Sequence, residues 1–192
     1  MNYKIILASN SPRRKELLKG LDIDFEVRII PDIDESYPPG TSPEKIPAFI
    51  AQKKAEAYRA SMKEDELIIT ADTVVVLDGD ILEKPADKSE AIQMIKRLSG
   101  RKHKVITSVV LTTADGQKEF SVVSTVDFAE LTDDEIEYYV DKYKPFDKAG
   151  AYGIQEWIGY IGVKGIEGSF YNVMGLPIQR LYQELKTCKA NN

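Results

Sequence analysis

The stretch YKIILASNSPRRKELLKG, residues 3–20, decides the class of fold. Its apolar opening, 3–8, predicts a buried strand that passes through Ser9-Asn10-Ser11 straight into a helix. Ser11 suits the N-cap, Pro12 the first helical position and Gly20 the C-terminal cap. Moving outward, residues 22–40 read as a strand followed by an acidic loop. Ser42-Pro43 opens a second helix to about Met62, with Ile46, Phe49, Ile50 and Ala57 on one face. Residues 66–71 and 74–77 are strand-like, separated by Asp72-Thr73, and Asp78-Gly79 turns the chain back along 80–83. A helix over 87–99 carries Ala91, Ile92, Ile95 and Leu98 at helical spacing, with Gly100 beyond its end. Residues 105–113 and 118–128 form a second hairpin across Asp115-Gly116. Thr132 through Glu135 is a capping box opening a helix to about Tyr143. Glycine-rich strands and loops fill 147–175, and 176–186 closes as a helix. Strands and helices mix and two hairpins interrupt a parallel pattern, so the class is α/β or α+β.

The 192 residues carry 26 Lys+Arg against 31 Asp+Glu, a net charge of −5. That length suits one domain, over residues 1–192. With 43% hydrophobic residues there is enough apolar surface for a core. The acidic balance argues against a nucleic-acid partner, whose binders carry basic stripes. No apolar run approaches the roughly 20 residues of a membrane span, and residues 1–7 are too short for a signal segment. Neither membrane nor secretion is expected. A single cysteine, Cys188, fits a reducing compartment, so the expected localisation is cytoplasmic. With one His and one Cys there is no His/Cys zinc cluster, and any metal must be held largely by oxygens.

Several residues break local rules. Arg13 and Arg14 occupy the first turn of a helix, where the dipole and unpaired N–H groups favour acidic side chains. A strand, a Ser/Asn/Ser loop and a helix start already form an anion site, which two guanidiniums strengthen; the alternative is a solvated pair balanced by neighbouring carboxylates. Asp72 lies within or at the end of a buried strand segment, where a carboxylate must be paired, hydrogen-bonded or on a metal. It is a structural strand-end residue or a catalytic one. Lys84 on the returning strand is a surface lysine or a partner for Asp72, since register is not set by sequence alone. Asp32, Asp34 and Glu35 in the acidic loop suit solubility or a hard cation. Lys53 and Lys54 read as a solvated helix face, and His103 as a surface or hairpin residue. Residues 147–155 resist assignment: they suit a plain tight loop, or close approach to a ligand with Gln155 reading an amide-like base edge. Together these parts describe a site for a phosphorylated small molecule, with Mg²⁺. No P-loop, dinucleotide fingerprint or acyl-hydrolase set is present in the sequence.

Residues 7–18, LASNSPRRKELL, resemble the N-terminal signature of the Maf family of nucleoside triphosphate pyrophosphatases. Ordered blocks agree with it: Ala71 through Val75, Leu82 through Pro85, Ser99 through His103, Asp147 through Gln155, and Gly168-Ser169 with Asn172 through Pro177. The resemblance covers nearly the whole chain. It implies an elongated α/β, mixed-sheet protein of two lobes around a central cleft, similar to inosine triphosphate pyrophosphatases. It implies hydrolysis of a nucleoside triphosphate to the monophosphate and pyrophosphate, a reaction suited to clearing unwanted nucleotides. By resemblance Asp72 is the general base or a metal-proximal carboxylate, and Ser9, Arg13, Arg14, Glu35, Lys54 and Lys84 line the phosphate and metal site. Glu35 and Asp72 would hold a divalent cation, Mg²⁺ or Mn²⁺. Arg13, Thr73 and Gln155 match positions tied to preference in the dTTP/UTP branch. One departure stands out: Glu156-Trp157-Ile158 follows Gln155 where smaller, glycine-rich residues are expected.

The mechanism expected is in-line attack of water on the α-phosphorus, with Asp72 orienting or deprotonating that water while Arg13, Arg14, Lys54 and Lys84 offset phosphate charge. Two alternatives remain at this level: the same chemistry on CTP or modified nucleotides, or a nucleotide-sensing inhibitor of septum formation. The partner expected is a nucleoside triphosphate, with a homodimer left open.

Overall fold

The computed structural model describes residues 3–188. Met1 and Asn2, part of the segment read as too short for a signal, and residues 189–192, inside the single-domain assignment, lie outside them. Strand β1 (Lys4–Leu7) leads into helix α1 (Pro12–Lys19), then β2 (Phe25–Val27), a 3₁₀ turn over Pro43–Lys45 and α2 (Ile46–Arg59). Strands β3 (Glu66–Leu77) and β4 (Asp80–Leu82), helix α3 (Lys88–Leu98), strands β5 (Lys102–Thr113) and β6 (Gly116–Phe128) and helix α4 (Asp133–Tyr143) follow. Helix α5 (Trp157–Gly162), strand β7 (Val163–Glu167), and helices α6 (Phe170–Met174) and α7 (Ile178–Thr187) complete the chain. A seven-stranded sheet runs in the order β2-β1-β3-β5-β6-β7, with β4 also paired to β3. The pairs β1/β2 and β1/β3 are parallel, while β3/β4 and β6/β7 are antiparallel, so the sheet is mixed.

Several expectations are corrected. Asp72-Thr73 does not separate two strands: residues 66–77 form one continuous strand, and Asp72 lies in its middle. α2 ends at Arg59, short of Met62. Its buried face is Ile46, Pro47, Ile50, Ala51, Ala55 and Tyr58, whereas Phe49 turns outward. Gly20 closes α1 in the right-handed region at φ −66°, so it is a cap without the left-handed geometry glycine usually supplies there. The second hairpin turns over residues 114–115, and Gly116 already belongs to β6. The segment 147–175 holds strand β7, as expected of it, but also helices α5 and α6, which its glycines and small residues disguise. The first hairpin and the capping box form as read. Asp78 and Gly79 both take positive φ, 52° and 90°, as a two-residue turn with the strands' own twist requires. Thr132 accepts from the Glu135 N–H while Glu135 accepts from the Thr132 N–H.

The chain divides into two compact units. One holds the stretch up to Asp72, Thr107–Val122 and the stretch from Gly175; the other holds Thr73–Ile106 and Val123–Met174. In the first, Ile6, Ala8, Tyr58 and Ile68 form a buried cluster against which Ile30, Ile33 and Met62 pack. Ile6 and Ile68, fully buried, each contribute roughly 1.5–3 kcal/mol of transfer free energy. Thr70 Oγ1 donates to the Ala51 carbonyl at 2.8 Å, tying β3 to α2. Tyr58 Oη accepts from the Ile30 N–H at 2.8 Å and donates to the Arg28 carbonyl at 2.9 Å, which anchors the start of the acidic loop on α2. In the second unit His103 is buried, not superficial: its Nε2 lies 2.7 Å from Tyr152 Oη, and its ring meets Phe128 and Tyr152 edge-on. The β5 face pattern placed it inward, and burial lowers its pKa to about 4. Among the described residues no helix is long and apolar enough to cross a membrane.

Candidate active site

The first unit gathers charged side chains from four places in the chain. At the end of β1, Ala8 N–H bonds the Ile69 carbonyl at 2.9 Å, so the loop leaves the sheet beside β3. Ser9 Oγ accepts from the Ser11 N–H at 3.2 Å and folds that loop, and Ser11 Oγ in turn caps α1 through the Arg14 N–H at 3.4 Å. These hydroxyls set where α1 begins. Arg14 then reaches back to the sheet: its Nη1 donates to the Ala71 carbonyl at 2.9 Å and its Nε to the Gly175 carbonyl at 2.8 Å. This explains why an arginine is tolerated in a first helical turn, since its guanidinium satisfies backbone acceptors away from the helix. Gly175, at φ +112°, turns its carbonyl in a conformation that side-chain-bearing residues rarely adopt.

Asp72 follows the strand residue that Arg14 holds. Its carboxylate is 13% exposed, and Lys54 Nζ, 14% exposed, lies 2.9 Å from its Oδ1. The same ammonium lies 3.0 Å from Glu35 Oε1 in the acidic loop. One lysine therefore bridges two carboxylates, and Lys54 is a half-buried connector, not a solvated helix residue. Its neighbour Lys53 is also engaged, 2.6 Å from Asp34 Oδ2 and 2.9 Å from the Ser36 carbonyl. Thus the acidic loop splits. Asp34 serves the loop's own anchoring, its pKa held below the ordinary range chiefly by the Lys53 hydrogen bond; Asp32 is exposed; Glu35 meets Lys54 and acts on Asp72 through its charge.

Burial raises the Asp72 pKa above the ordinary aspartate value, opposed by Lys54 and Arg14 and assisted by Glu35. Arg14 is pulled down by burial and by Arg13, and held up by Asp72 and Glu35. Arg13, Arg14, Lys54, Glu35 and Asp72 thus share one electrostatic neighbourhood. The carboxylates of Glu35 and Asp72 are hard oxygen donors, the chemistry that suits Mg²⁺ or Mn²⁺ when phosphate oxygens and water fill the remaining positions. Among the described residues no three His, Cys, Asp or Glu side chains form a metal cage. Two carboxylates are a donor set whose chemistry fits a hard divalent cation.

The remaining sequence-predicted positions belong to the second unit. Thr73 follows Asp72 on β3 and is half-buried; Lys84 is exposed two residues beyond β4. Gln155 buries its Oε1 without a hydrogen-bond partner. Sequence reasoning missed the Ala71 and Gly175 carbonyls that seat Arg14, which leave no side-chain signal. It also missed Tyr58, whose hydroxyl secures the acidic loop and which reads as one more apolar helix residue.

The family profile described as Maf-like protein matches residues 4–188. The chain belongs to the Maf-like protein family. Among its Maf-like relatives, the dTTP/UTP pyrophosphatase of Parabacteroides distasonis is 63% identical over 184 residues, covering 96% of this chain and 95% of that one. The dTTP/UTP pyrophosphatases of Phocaeicola vulgatus and Bacteroides thetaiotaomicron are 62% and 60% identical over the same shares. Among solved structures, the Staphylococcus aureus Ham1 protein superposes with a TM-score of 0.55 at 21% identity, covering 94% of this Maf-like chain and 99% of that chain. A HAM1 protein from Coxiella burnetii gives 0.52 at 16%, over 97% and 100%. These two likenesses concern the fold: the mixed α/β architecture of this Maf-like protein is also that of Ham1 proteins.

Proposed function

We propose that this protein is a nucleoside triphosphate pyrophosphatase that hydrolyses dTTP and UTP to the nucleoside monophosphate and pyrophosphate. The observation that carries the reading is the largely enclosed Asp72 carboxylate held 2.9 Å from Lys54 beside Arg14, in a chain of the Maf-like family. The 60–63% identical dTTP/UTP pyrophosphatases support the substrate assignment.

In this reading water attacks the α-phosphorus in line, the bond from that phosphorus to the bridging oxygen breaks, and pyrophosphate leaves. Asp72 orients the water and accepts its proton. A carboxyl whose pKa burial has raised is a stronger base than an exposed aspartate at neutral pH. Lys54 keeps that carboxylate charged and aimed. Arg13, Arg14, Lys54 and Lys84 bind phosphate oxygens, with Ser9 shaping the loop beside them. Glu35 and Asp72 would hold Mg²⁺ or Mn²⁺, which when bound neutralises phosphate charge.

Base preference is assigned to Arg13, Thr73 and Gln155. A buried amide oxygen without a partner is an acceptor for the N3–H that uracil and thymine share; cytosine presents an unprotonated N3 acceptor there instead. The compartment proposed is the cytoplasm, which suits a chain with one cysteine.

The test is a panel of dTTP, UTP, CTP and purine triphosphates with Mg²⁺ or Mn²⁺, with pyrophosphate and orthophosphate measured separately. Pyrophosphate release from dTTP and UTP is expected, with Asp72→Asn losing at least a hundredfold. Orthophosphate as the product, binding without turnover, or near-normal rates in Asp72→Asn would each overturn a part of this reading.

A further inference from the structure

The departure after Gln155 is built into a clamp. Glu156 receives a hydrogen bond from Tyr139 Oη on its Oε2, and its Oε1 lies 3.2 Å from Lys148 Nζ. Tyr139 is fully buried and the Lys148 side chain is 8% exposed, while Lys148 also meets Asp147 at 2.8 Å. The same Tyr139 oxygen accepts the Gly153 N–H at 2.9 Å, and the Glu156 N–H bonds the Gly153 carbonyl at 3.0 Å. A Cβ on Gly153 would come within 2.7 Å of the Glu156 carboxyl carbon, so a side chain there would push the carboxylate from its present place. Both ends of the short segment 153–156 are therefore held by one tyrosine and one carboxylate. Between them sits Gln155, whose buried Oε1 is the acceptor left over.

A charged group is an expensive device for closing a loop that a small residue would also close. Its use here has a geometric consequence. With Glu156 held by two partners and Gly153 by a third bond, the backbone on either side of Gln155 is held in place. We propose that Glu156, held by Tyr139 and Lys148, is a positioning residue that fixes Gln155 and thereby sets the preference for a base carrying N3–H. This inference rests on the function proposed above.

The test measures kcat and KM for UTP and CTP in the full-length protein, alongside Glu156→Ala, Glu156→Gln, Tyr139→Phe, Gln155→Ala and the Gln155→Ala/Glu156→Ala double variant, with melting temperatures. Glu156→Ala is expected to lower kcat/KM for UTP about tenfold, the loss of one well-made hydrogen bond, mostly through KM, and to lower the UTP-to-CTP ratio by a similar factor. Tyr139→Phe moves the ratio the same way. Glu156→Gln keeps an acceptor for Tyr139 and most of the ratio, which a charge-only role would not allow. On the Gln155→Ala background, Glu156→Ala changes the ratio no further. If Glu156→Ala does not fold, Glu156→Gln and Tyr139→Phe carry the comparison. Folded variants with an unchanged ratio, or independent effects in the double variant, overturn the positioning role while wild-type turnover of UTP leaves the function standing. A wild-type protein that releases no pyrophosphate from UTP or dTTP overturns both.

Discussion

Lys54 Nζ lies 2.9 Å from Asp72 Oδ1 and so joins the middle of α2 to the middle of β3. Two side chains that each break the rules of their own element make sense as a pair. A lysine on a helix face turned to the sheet meets an aspartate inside a strand made mostly of Leu, Ile, Ala and Val. Neither is affordable alone at that depth.

Removing the ammonium should therefore disable the site. Lys54→Met is expected to lower kcat/KM for dTTP by roughly 10²- to 10³-fold, the usual cost of losing a preorganised charged donor. Lys54→Arg should recover part of it. Steady-state kinetics checks this; a Lys54→Met protein within a few-fold of wild type would mean that the pair is only structural.

Arg14 is a strut as well as a charge. Because two different nitrogens of its guanidinium hold the Ala71 and Gly175 carbonyls, a lysine cannot replace both contacts. Arg14→Lys is expected to cost about 1–3 kcal/mol in urea unfolding, besides its effect on turnover. Unchanged stability would show that these two bonds are readily replaced by solvent.

Glu66 opens β3 fully buried, with Arg28 Nη1 and Nη2 at 2.9 and 2.6 Å from its two oxygens. The Arg28 hydrogen bonds, working against burial, bring its pKa from 4.5 to about 2. Since the folded value is depressed, this contribution is complete above the unfolded value and is lost as pH falls from there toward about 2. Arg28→Met should be destabilised by about 3 kcal/mol at pH 7, and the gap from wild type should narrow with acidification. Urea titrations at pH 7, 5 and 3 would show it, and a gap that widens toward pH 3 would contradict the sign.

Gly159 in α5 has a different tolerance from the other glycines. A Cβ there would lie 1.8 Å from the Ile154 carbonyl oxygen, so any side chain displaces the residue before Gln155. Gly159→Ala is expected to cost about 1–3 kcal/mol and to weaken the preference for UTP over CTP. Calorimetry with the two-substrate assay tests both; wild-type values in each would show that α5 shifts without moving Gln155.

Sequence alone determined the elements whose signals are local. The cap at Ser11, the Asp78-Gly79 turn, the capping box at Thr132 and the mixed α/β class all depend on residues within a few positions of each other. The resemblance in the blocks from Leu7 to Pro177 likewise named the family, because ordered short motifs survive without any knowledge of contacts. What only the tertiary structure decided is which charges meet. Asp34 and Glu35 are neighbours of the same type, yet one anchors its own loop and the other reaches Lys54; Lys53 and Lys54 divide in the same way. Asp72 looked like a break between strands because its type is rare inside one, and Lys54, 18 residues away in the chain, together with Arg14 makes a continuous strand tolerable. His103 and Glu156 were misread or left open for the same reason: burial and pairing of a charged or polar group depend on partners distant in sequence, and those partners leave no trace in its own neighbourhood.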